Sequence, residues 1–234
     1  MSNSDIAKRI AAEAAAALVE DGMLVGLGSG STLAYVVMAL GRRVRDEGLD
    51  FTGVPTSSET EALAITQGIT LTALSEAKLD LAIDGADEIE TGTLRLIKGL
   101  GAALLREKIV VQASRRFVVV SDASKIVTHL GQRAPLPVEV VQFGQVATAH
   151  RLAELGGKPV LRLDRSGAPR ITDGGNVIYD CGGFAPIRDP FTLQRQLKAI
   201  AGVVESGLFL DCAEQAIIGE PDGSTYTMWP AGAR

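Results

Sequence analysis

The fold is decided by Met23-Leu-Val-Gly-Leu-Gly-Ser-Gly-Ser-Thr32, which leads into Leu-Ala-Tyr-Val-Val-Met-Ala-Leu as far as residue 40. Residues 23–27 form a short apolar run bounded by glycine, which is typical of a buried strand. Small and hydroxyl-bearing residues follow, and the pattern then predicts a helix over 32–46. A strand, a glycine-rich loop and a helix in this order begin an α/β unit.

The same pattern continues on both sides of this stretch. Helical spacing of apolar residues predicts an opening helix over 4–20 and another over 102–113. Buried strands are predicted at 51–55, 69–71, 79–84 and 117–121. Because these strands lack polar alternation and are separated by helices, we expect a parallel sheet covered on both faces.

The pattern changes after Pro135-Leu-Pro137. The predicted elements there are strand 138–141, helix 145–155, strands 160–163 and 177–180, and helix 191–200, an order typical of a split βαβ unit. The apolar runs 208–210 and 215–218 are expected to rejoin the first sheet. We therefore expect one larger, Rossmann-like domain from residues 1–129 and 206–234, with residues 130–205 forming a smaller α+β domain.

Composition excludes several classes of protein. Hydrophobic residues make up 46% and charged residues 22% of the 234 residues, which rules out a disordered chain or a coiled coil. A net charge of −5 and few aromatic residues disfavour nucleic acid as a partner. The uncharged segment 22–41 has the length of a membrane span, but its small and polar centre would interrupt such a helix, so we expect no membrane partner. No signal-peptide pattern is visible at the N-terminus, and we expect a cytoplasmic protein.

The loop Gly26-Leu-Gly-Ser-Gly-Ser-Thr32 is the first candidate site. Exposed backbone N–H groups at the start of a helix bind anions, and the hydroxyls of Ser31 and Thr32 suit a phosphate. A tight turn without a ligand is the structural alternative. A dinucleotide site is disfavoured because Leu33 stands where the third glycine of that fingerprint belongs, although Glu59 could serve as its ribose-binding acid.

Two further segments contain charged residues at strand or helix ends. Asp84-Gly-Ala-Asp87-Glu-Ile-Glu90 follows a buried strand, where parallel sheets bind ligands. Catalytic acids, an acidic turn and a divalent metal site all fit that segment. Lys98-Gly-Leu-Gly101 opens the helix that carries Glu107, which shares a stripe with apolar residues. Burial there would raise its pKa toward that of a useful base, whereas a surface ion pair with Arg106 or Lys108 is the alternative.

Taken together, these segments resemble the A-type ribose-5-phosphate isomerases. The resemblance rests on GLGSGST (26–32), DGADEIE (84–90), KGLGAALLREKIV (98–110), SDASK (121–125), PLPVEV (135–140), GLF (207–209) and IIGEPDG (217–223). It implies interconversion of D-ribose 5-phosphate and D-ribulose 5-phosphate through an enediolate, in the non-oxidative branch of the pentose phosphate pathway, without a metal or other cofactor. It also implies an α/β protein with a Rossmann-like parallel-sheet domain, a smaller ferredoxin-like α+β domain, and a homodimer or homotetramer.

The resemblance also assigns roles to residues. Glu107 matches the general base, Lys98 the cation beside the reacting oxygens, and Asp84 and Asp87 the acids near the sugar, with Asp84 chosen to open the ring. The residues matched to substrate binding are Lys8, Ser29, Gly30, Ser31, Thr32, Gly85, Ala86, Gly99, Leu100, Gly101 and Lys125. Leu100 departs from the family, which often has glycine there; a positive φ at this position would strain a leucine.

The remaining candidates are interpreted as structural. Neither histidine, His129 or His150, lies in a recognised segment, and Arg162 and Arg165 are expected at a solvated edge. Two other functions stay open at this point. A non-catalytic sugar-phosphate sensor would need a DNA-binding module, and a nicotinamide-dependent dehydrogenase would need the intact glycine fingerprint.

Overall fold

The computed structural model describes residues 2–75 and 78–232. Within these ranges the helices are α1 (Asn3–Ala16), α2 (Ser31–Glu47), α3 (Ser58–Thr66), α4 (Leu104–Ala113), α5 (Gln145–Glu154) and α6 (Pro190–Lys198), with a 3₁₀ turn at Ala123–Lys125. The strands are β1 (Leu24–Leu27), β2 (Thr52–Pro55), β3 (Thr70–Leu71), β4 (Leu81–Asp84), β5 (Glu88–Glu90), β6 (Leu96–Ile97), β7 (Phe117–Asp122), β8 (Ile126–Val127), β9 (Leu136–Val140), β10 (Lys158–Leu161), β11 (Val177–Gly182), β12 (Val203–Ser206), β13 (Leu208–Phe209), β14 (Gln215–Gly219) and β15 (Thr225–Met228).

The main sheet has seven strands in the order β15-β14-β7-β4-β1-β2-β3. All neighbours pair in parallel except β15, which runs antiparallel to β14 at one edge. From β1 the chain moves outward to β2 and β3 and then returns to place β4 on the other side of β1. This reversal creates a crevice beyond the carboxyl ends of β1 and β4, where open α/β sheets bind ligands.

Helices and a second layer of strands cover the two faces of the main sheet. On one face, α1 and α2 pack against alternate strand residues such as Val118 and Val120. On the other face, residues of α4 pack with Phe117 and Val119. A Cβ on Gly26 would lie 2.4 Å from the Val110 side chain, so this glycine lets α4 approach β1 closely. That approach brings the first turn of α4 to the crevice.

The second sheet is antiparallel, in the order β10-β11-β9-β12. Its chain order is β9-α5-β10-β11-α6-β12, the split βαβ type expected for this region, although its fourth strand, β12, was not predicted. The structure therefore confirms the expected fold class, an α/β protein with a Rossmann-like sheet and a smaller ferredoxin-like unit. The exact domain division at residues 129/130 and 205/206 stays a prediction.

A third sheet, β13-β6-β5-β8, was not predicted. It changes two expectations. First, the acidic segment after β4 contains a strand, β5. Second, the run at 208–210 joins this third sheet, where Leu208 pairs with Ile97. The prediction that residues 208–210 rejoin the main sheet was therefore wrong. The run at 215–218 does rejoin the main sheet as β14, beside β7.

The other elements agree with the predictions to within a few residues, apart from α3, β12, β15 and the 3₁₀ turn, which were not predicted. The uncharged segment 22–41 is divided between β1, the glycine loop and α2. Among residues 2–75 and 78–232, no helix has both the length and the apolar character needed to cross a bilayer.

Candidate active site

The first glycine loop bends over the carboxylate of Asp84 at the ends of β1 and β4. A Cβ on Gly28 would lie 2.1 Å from that carboxyl group, so only glycine fits there. The Ser29 N–H donates to Asp84 Oδ1 at 3.1 Å, and the Ser29 hydroxyl lies 2.7 Å from the Thr56 hydroxyl. Gly30, with a φ of +92°, is the N-cap residue of α2. The N–H groups in the first turn of α2 have no partner within the helix, and they face the crevice.

A buried lysine lies between two carboxylates at the floor of the crevice. The ammonium of Lys98 is 2.9 Å from Asp84 Oδ2 and 3.2 Å from Glu107 Oε2, and it donates to the carbonyl of Gly85 at 2.7 Å. All three charged side chains are at most 4% exposed. Since one cation faces two carboxylates in a medium of low polarity, the cluster favours keeping a proton on the acid pair.

The pKa values of the cluster follow from burial and mutual charge. Burial and the charge of Asp84 raise the pKa of Glu107 to about 8, although the Lys98 charge opposes that rise. Burial also raises the pKa of Asp84, against the lowering effect of Lys98 and of the Ser29 N–H. Burial alone would lower the pKa of Lys98, but the two carboxylates raise it above its ordinary value. Glu107 is therefore a base whose pKa lies close to neutral pH.

The sequence left open a surface ion pair for Glu107, and the structure excludes it. Arg106 instead pairs with Asp173, and Lys108 pairs with Glu205. The helical stripe was the correct signal, because it places Glu107 on the buried side of α4.

The loop that follows Lys98 brings Asp87 into position. The Leu100 N–H donates to Asp87 Oδ2 at 2.9 Å. Positive φ angles in this segment occur at Gly99 (+108°) and Ala102 (+66°), not at Leu100. Leucine is therefore unstrained here, and its side chain is 43% exposed.

Two lysines lie at the other end of the crevice, near the start of α2. The Lys8 ammonium donates to the Ser31 hydroxyl at 3.2 Å. Lys125 ends the 3₁₀ turn after β7, and the Asp122 carboxylate caps this turn by accepting from the Ser124 N–H at 2.9 Å. Two cations and a helix N-terminus converge there, an arrangement that suits a phosphate.

These groups enclose a cavity of about 110 Å³. Its lining residues are Lys8, Ser29, Gly30, Ser31, Thr32, Gly85, Ala86, Asp87, Lys98, Gly99, Gly101, Glu107 and Lys125. All of them were candidates from the sequence. The other two candidates do not line the cavity: Asp84 lies beneath Ser29 and Lys98, and Leu100 contributes its backbone to Asp87.

Several other candidates lie elsewhere. Glu59 is exposed in the first turn of α3, and His129 contacts the Thr128 hydroxyl at 3.1 Å. Within the described part of the chain, no group of three or more His, Cys, Asp or Glu side chains could hold a metal ion.

The expectation that Arg162 lies at a solvated edge was wrong. Its side chain is 13% exposed, pairs with Asp180 and donates to the carbonyl of Gly99 at 2.7 Å. Sequence reasoning also missed Thr56 and Asp122, which support the first glycine loop and the 3₁₀ turn. Only Asp122 had a signal, as the acid that precedes Lys125 in SDASK.

Comparison with known proteins agrees with this geometry. The family model for ribose 5-phosphate isomerase A (phosphoriboisomerase A) matches residues 52–223. The ribose-5-phosphate isomerase A of Gluconobacter oxydans is 52% identical over 227 residues, covering 95% of this chain and 97% of that protein. The relative from Synechococcus is also 52% identical, over 95% of this chain and 97% of that protein.

Solved structures extend the likeness to three dimensions. Ribose 5-phosphate isomerase A from Methanocaldococcus jannaschii superposes with a TM-score of 0.91 at 43% identity, covering 97% of this chain and all (100%) of that one. A D-ribose-5-phosphate isomerase in complex with phospho-erythronic acid superposes with a TM-score of 0.90 at 39% identity, over 95% and 97% of the two chains. The chain belongs to the ribose 5-phosphate isomerase A family.

Proposed function

We infer that the protein interconverts D-ribose 5-phosphate and D-ribulose 5-phosphate. The observation that carries this proposal is the buried Glu107–Lys98 pair at one end of a cavity whose other end is lined by two lysines and a helix N-terminus. Isomerisation needs a base at the reacting carbons, a positive charge at the reacting oxygens and an anchor for the phosphate. The cavity offers all three.

Glu107 is the proposed base. In its ionised form it takes the proton from C2 of the open-chain aldose and returns a proton to C1. In the enediolate between these two transfers the hydroxyl proton passes from O2 to O1, so the carbonyl moves from C1 to C2. One carboxylate on one side of the substrate serves both transfers and both directions. Its pKa of about 8 gives it useful basicity near neutral pH, because a weakly basic carboxylate would take a carbon-bound proton more slowly.

Lys98 is proposed to stabilise the negative charge that develops on the oxygens at C1 and C2. Its ammonium is already oriented by Asp84 and the Gly85 carbonyl, so little reorganisation is needed when the enediolate forms. Phospho-erythronic acid, bound by the relative described above, is a sugar-acid phosphate with a carboxylate in place of the carbonyl end. A cavity with Lys98 at one end and two lysines at the other suits a molecule with an anion at each end.

The phosphate is proposed to lie between Lys125, Lys8 and the hydroxyls of Ser31 and Thr32 at the start of α2. Phosphate binding remote from the reacting carbons fixes the substrate against Glu107. Ribose 5-phosphate is mostly cyclic in solution, so a group is also needed to transfer the protons that open the sugar ring. We assign this role to Asp87 rather than Asp84, because Asp87 lines the cavity and Asp84 does not.

Three further proposals concern the protein's surroundings. No metal or other cofactor is assigned a role, since Lys98 supplies the positive charge at the reacting oxygens.

A homodimer or homotetramer is proposed from the family resemblance and from exposed apolar side chains near the second sheet. These are Phe143, Val160 and Leu163, which are 95%, 65% and 53% exposed. Light scattering after gel filtration tests it, and a single species of monomer mass would contradict it. The proposed compartment is the cytoplasm.

The test of function is incubation of the purified protein with ribose 5-phosphate in the presence of EDTA, with ketose formation followed by NMR. We expect ribulose 5-phosphate to appear until equilibrium and unphosphorylated ribose to react very poorly. Binding of ribose 5-phosphate without any turnover would support a sugar-phosphate sensor instead. Loss of activity in EDTA with rescue by magnesium would contradict the role given to Lys98.

A further inference from the structure

Arg162 connects the second sheet to the active-site loop. It follows β10, and its guanidinium makes four hydrogen bonds. Asp180 on β11 accepts from Nε at 2.9 Å and from Nη2, so that the carboxylate holds the guanidinium plane in a bidentate pair. Nη1 donates to two successive carbonyls of the loop, at 2.7 Å to Gly99 and 3.0 Å to Leu100.

Holding those two carbonyls also fixes the N–H groups that follow them. A trans peptide is planar, and its C=O and N–H point in opposite directions. With the Gly99 carbonyl held by Arg162, the Leu100 N–H points away from it and donates to Asp87 Oδ2 at 2.9 Å. With the Leu100 carbonyl held, the Gly101 N–H points away from Arg162 as well. Gly101 lines the cavity, and within residues 2–75 and 78–232 its N–H has no hydrogen-bond acceptor.

We propose that Arg162, held by Asp180, is a positioning residue for the reaction: it sets the peptide planes of Gly99–Leu100 and Leu100–Gly101 so that Asp87 and the Gly101 N–H face the substrate. This inference rests on the proposed isomerase function. The Gly101 N–H then donates to a substrate oxygen beside Lys98. Arginine suits this position because its rigid fork reaches a carboxylate and two carbonyls at once, which a lysine cannot do.

The flexibility of the loop makes such an external clamp necessary. Without Arg162, the Gly99 carbonyl keeps only the turn hydrogen bond from the Ala102 N–H at 3.0 Å, and Gly99 and Gly101 give the loop many alternative backbone conformations. A misplacement of about 1 Å costs on the order of 10²-fold in rate when it affects groups around the reacting carbons. The phosphate end of the cavity does not depend on Arg162, because Lys8, Lys125 and α2 belong to other elements.

The test compares R162A and D180N with a matched control, R106A. Arg106 also connects α4 to the second-sheet region, through Asp173 at 3.2 Å, but it touches no carbonyl of the Lys98–Gly101 loop. Each kcat is expressed per folded protein, with the melting temperature measured in parallel. We expect R162A to lower kcat about 10- to 100-fold with KM changed less than about threefold. D180N should lower kcat by a smaller factor, and R106A should stay within about twofold of the wild type.

Chemical rescue separates positioning from a general effect on folding. Methylguanidinium added to R162A should restore a substantial part of kcat and have no effect on R106A. The proposal is overturned if R162A keeps wild-type kcat, if its loss equals that of R106A, or if methylguanidinium restores nothing. If R162A does not fold, D180N decides: unchanged kcat overturns the proposal, and a loss in kcat at nearly constant KM supports it. A wild type that does not isomerise ribose 5-phosphate contradicts the proposed function instead.

Discussion

Lowering the pH from 9 to 7 should reduce kcat/KM for ribose 5-phosphate about tenfold. The magnitude follows from Glu107, whose pKa burial and the neighbouring Asp84 charge raise to about 8. Only the ionised carboxylate accepts a proton from C2. The ionised fraction is about nine-tenths at pH 9, about half at pH 8 and about one-tenth at pH 7, and kcat/KM reports the ionisation of the free enzyme.

The pH range is chosen so that the substrate does not titrate with the enzyme. The second phosphate pKa is about 6, and the phosphate is therefore mostly a dianion throughout this range. Initial rates are measured at substrate concentrations well below KM. Lys125→Ala is the matched control, because it removes a cation from the phosphate end and leaves the Glu107–Lys98 pair intact. It should lower kcat/KM at every pH while keeping the midpoint near pH 8.

A flat profile between pH 7 and 9 would refute this reasoning. It would mean that the base has the pKa of an ordinary exposed carboxylate, about 4.3, and that the burial of Glu107 does not govern the reaction. A midpoint that moves in Lys125→Ala would place the titrating group at the phosphate end.

Three other predictions follow from the same contacts. Replacing Lys98 by Met should lower kcat by at least about 10²- to 10³-fold, since it removes the charge from the reacting oxygens. It should also destabilise the fold by about 3–5 kcal/mol at pH 8, because two buried carboxyls lose their cation. Steady-state kinetics and urea unfolding measure the two effects, and a stable variant with wild-type kcat would contradict the role given to Lys98. Lys125→Ala should raise KM strongly and Thr32→Val more mildly, with kcat little changed; unchanged KM in both variants would place the phosphate elsewhere. The folded-state pKa of Glu107 is raised from 4.5 to about 8, and its contribution to stability is therefore fully present below about pH 4.5 and is lost as pH rises through 8. Glu107→Gln should accordingly gain stability relative to the wild type between pH 5 and 8, by at most about 1.4 kcal/mol per pH unit, and a pH-independent difference in unfolding free energy would show that Glu107 ionises normally.

The main sheet could be predicted because its strands are apolar runs separated by helices, as in residues 23–27 and 117–121. The third sheet could not, since β6, β8 and β13 are two residues long and pair across widely separated segments. Helix α3 was hidden for a related reason: only Thr60 and Ala64 are buried on it, so it lacks the apolar stripe that identifies a helix.

The active-site residues could be predicted because they occur in segments with specific spacing. The helical stripe indicated Glu107, and the position after β4 indicated Asp84 and Asp87. Arg162 could not be found in this way, because it lies 63 positions from the Gly99 carbonyl that it contacts and its own segment resembles a surface edge. Such a contact depends on how the second sheet packs against the loop.

The central claim is that Glu107 moves the proton between C2 and C1, and substrate deuterated at C2 tests it most directly. With the wild type, the turnover rate should fall relative to unlabelled substrate, with part of the deuterium carried to C1 and the rest exchanged into solvent. Glu107→Gln keeps the shape of the side chain but cannot accept the proton, so turnover should fall about 10²- to 10⁴-fold while KM changes little. A Glu107→Gln protein that still moves the label at close to the wild-type rate would contradict the account and remove Glu107 from the reaction.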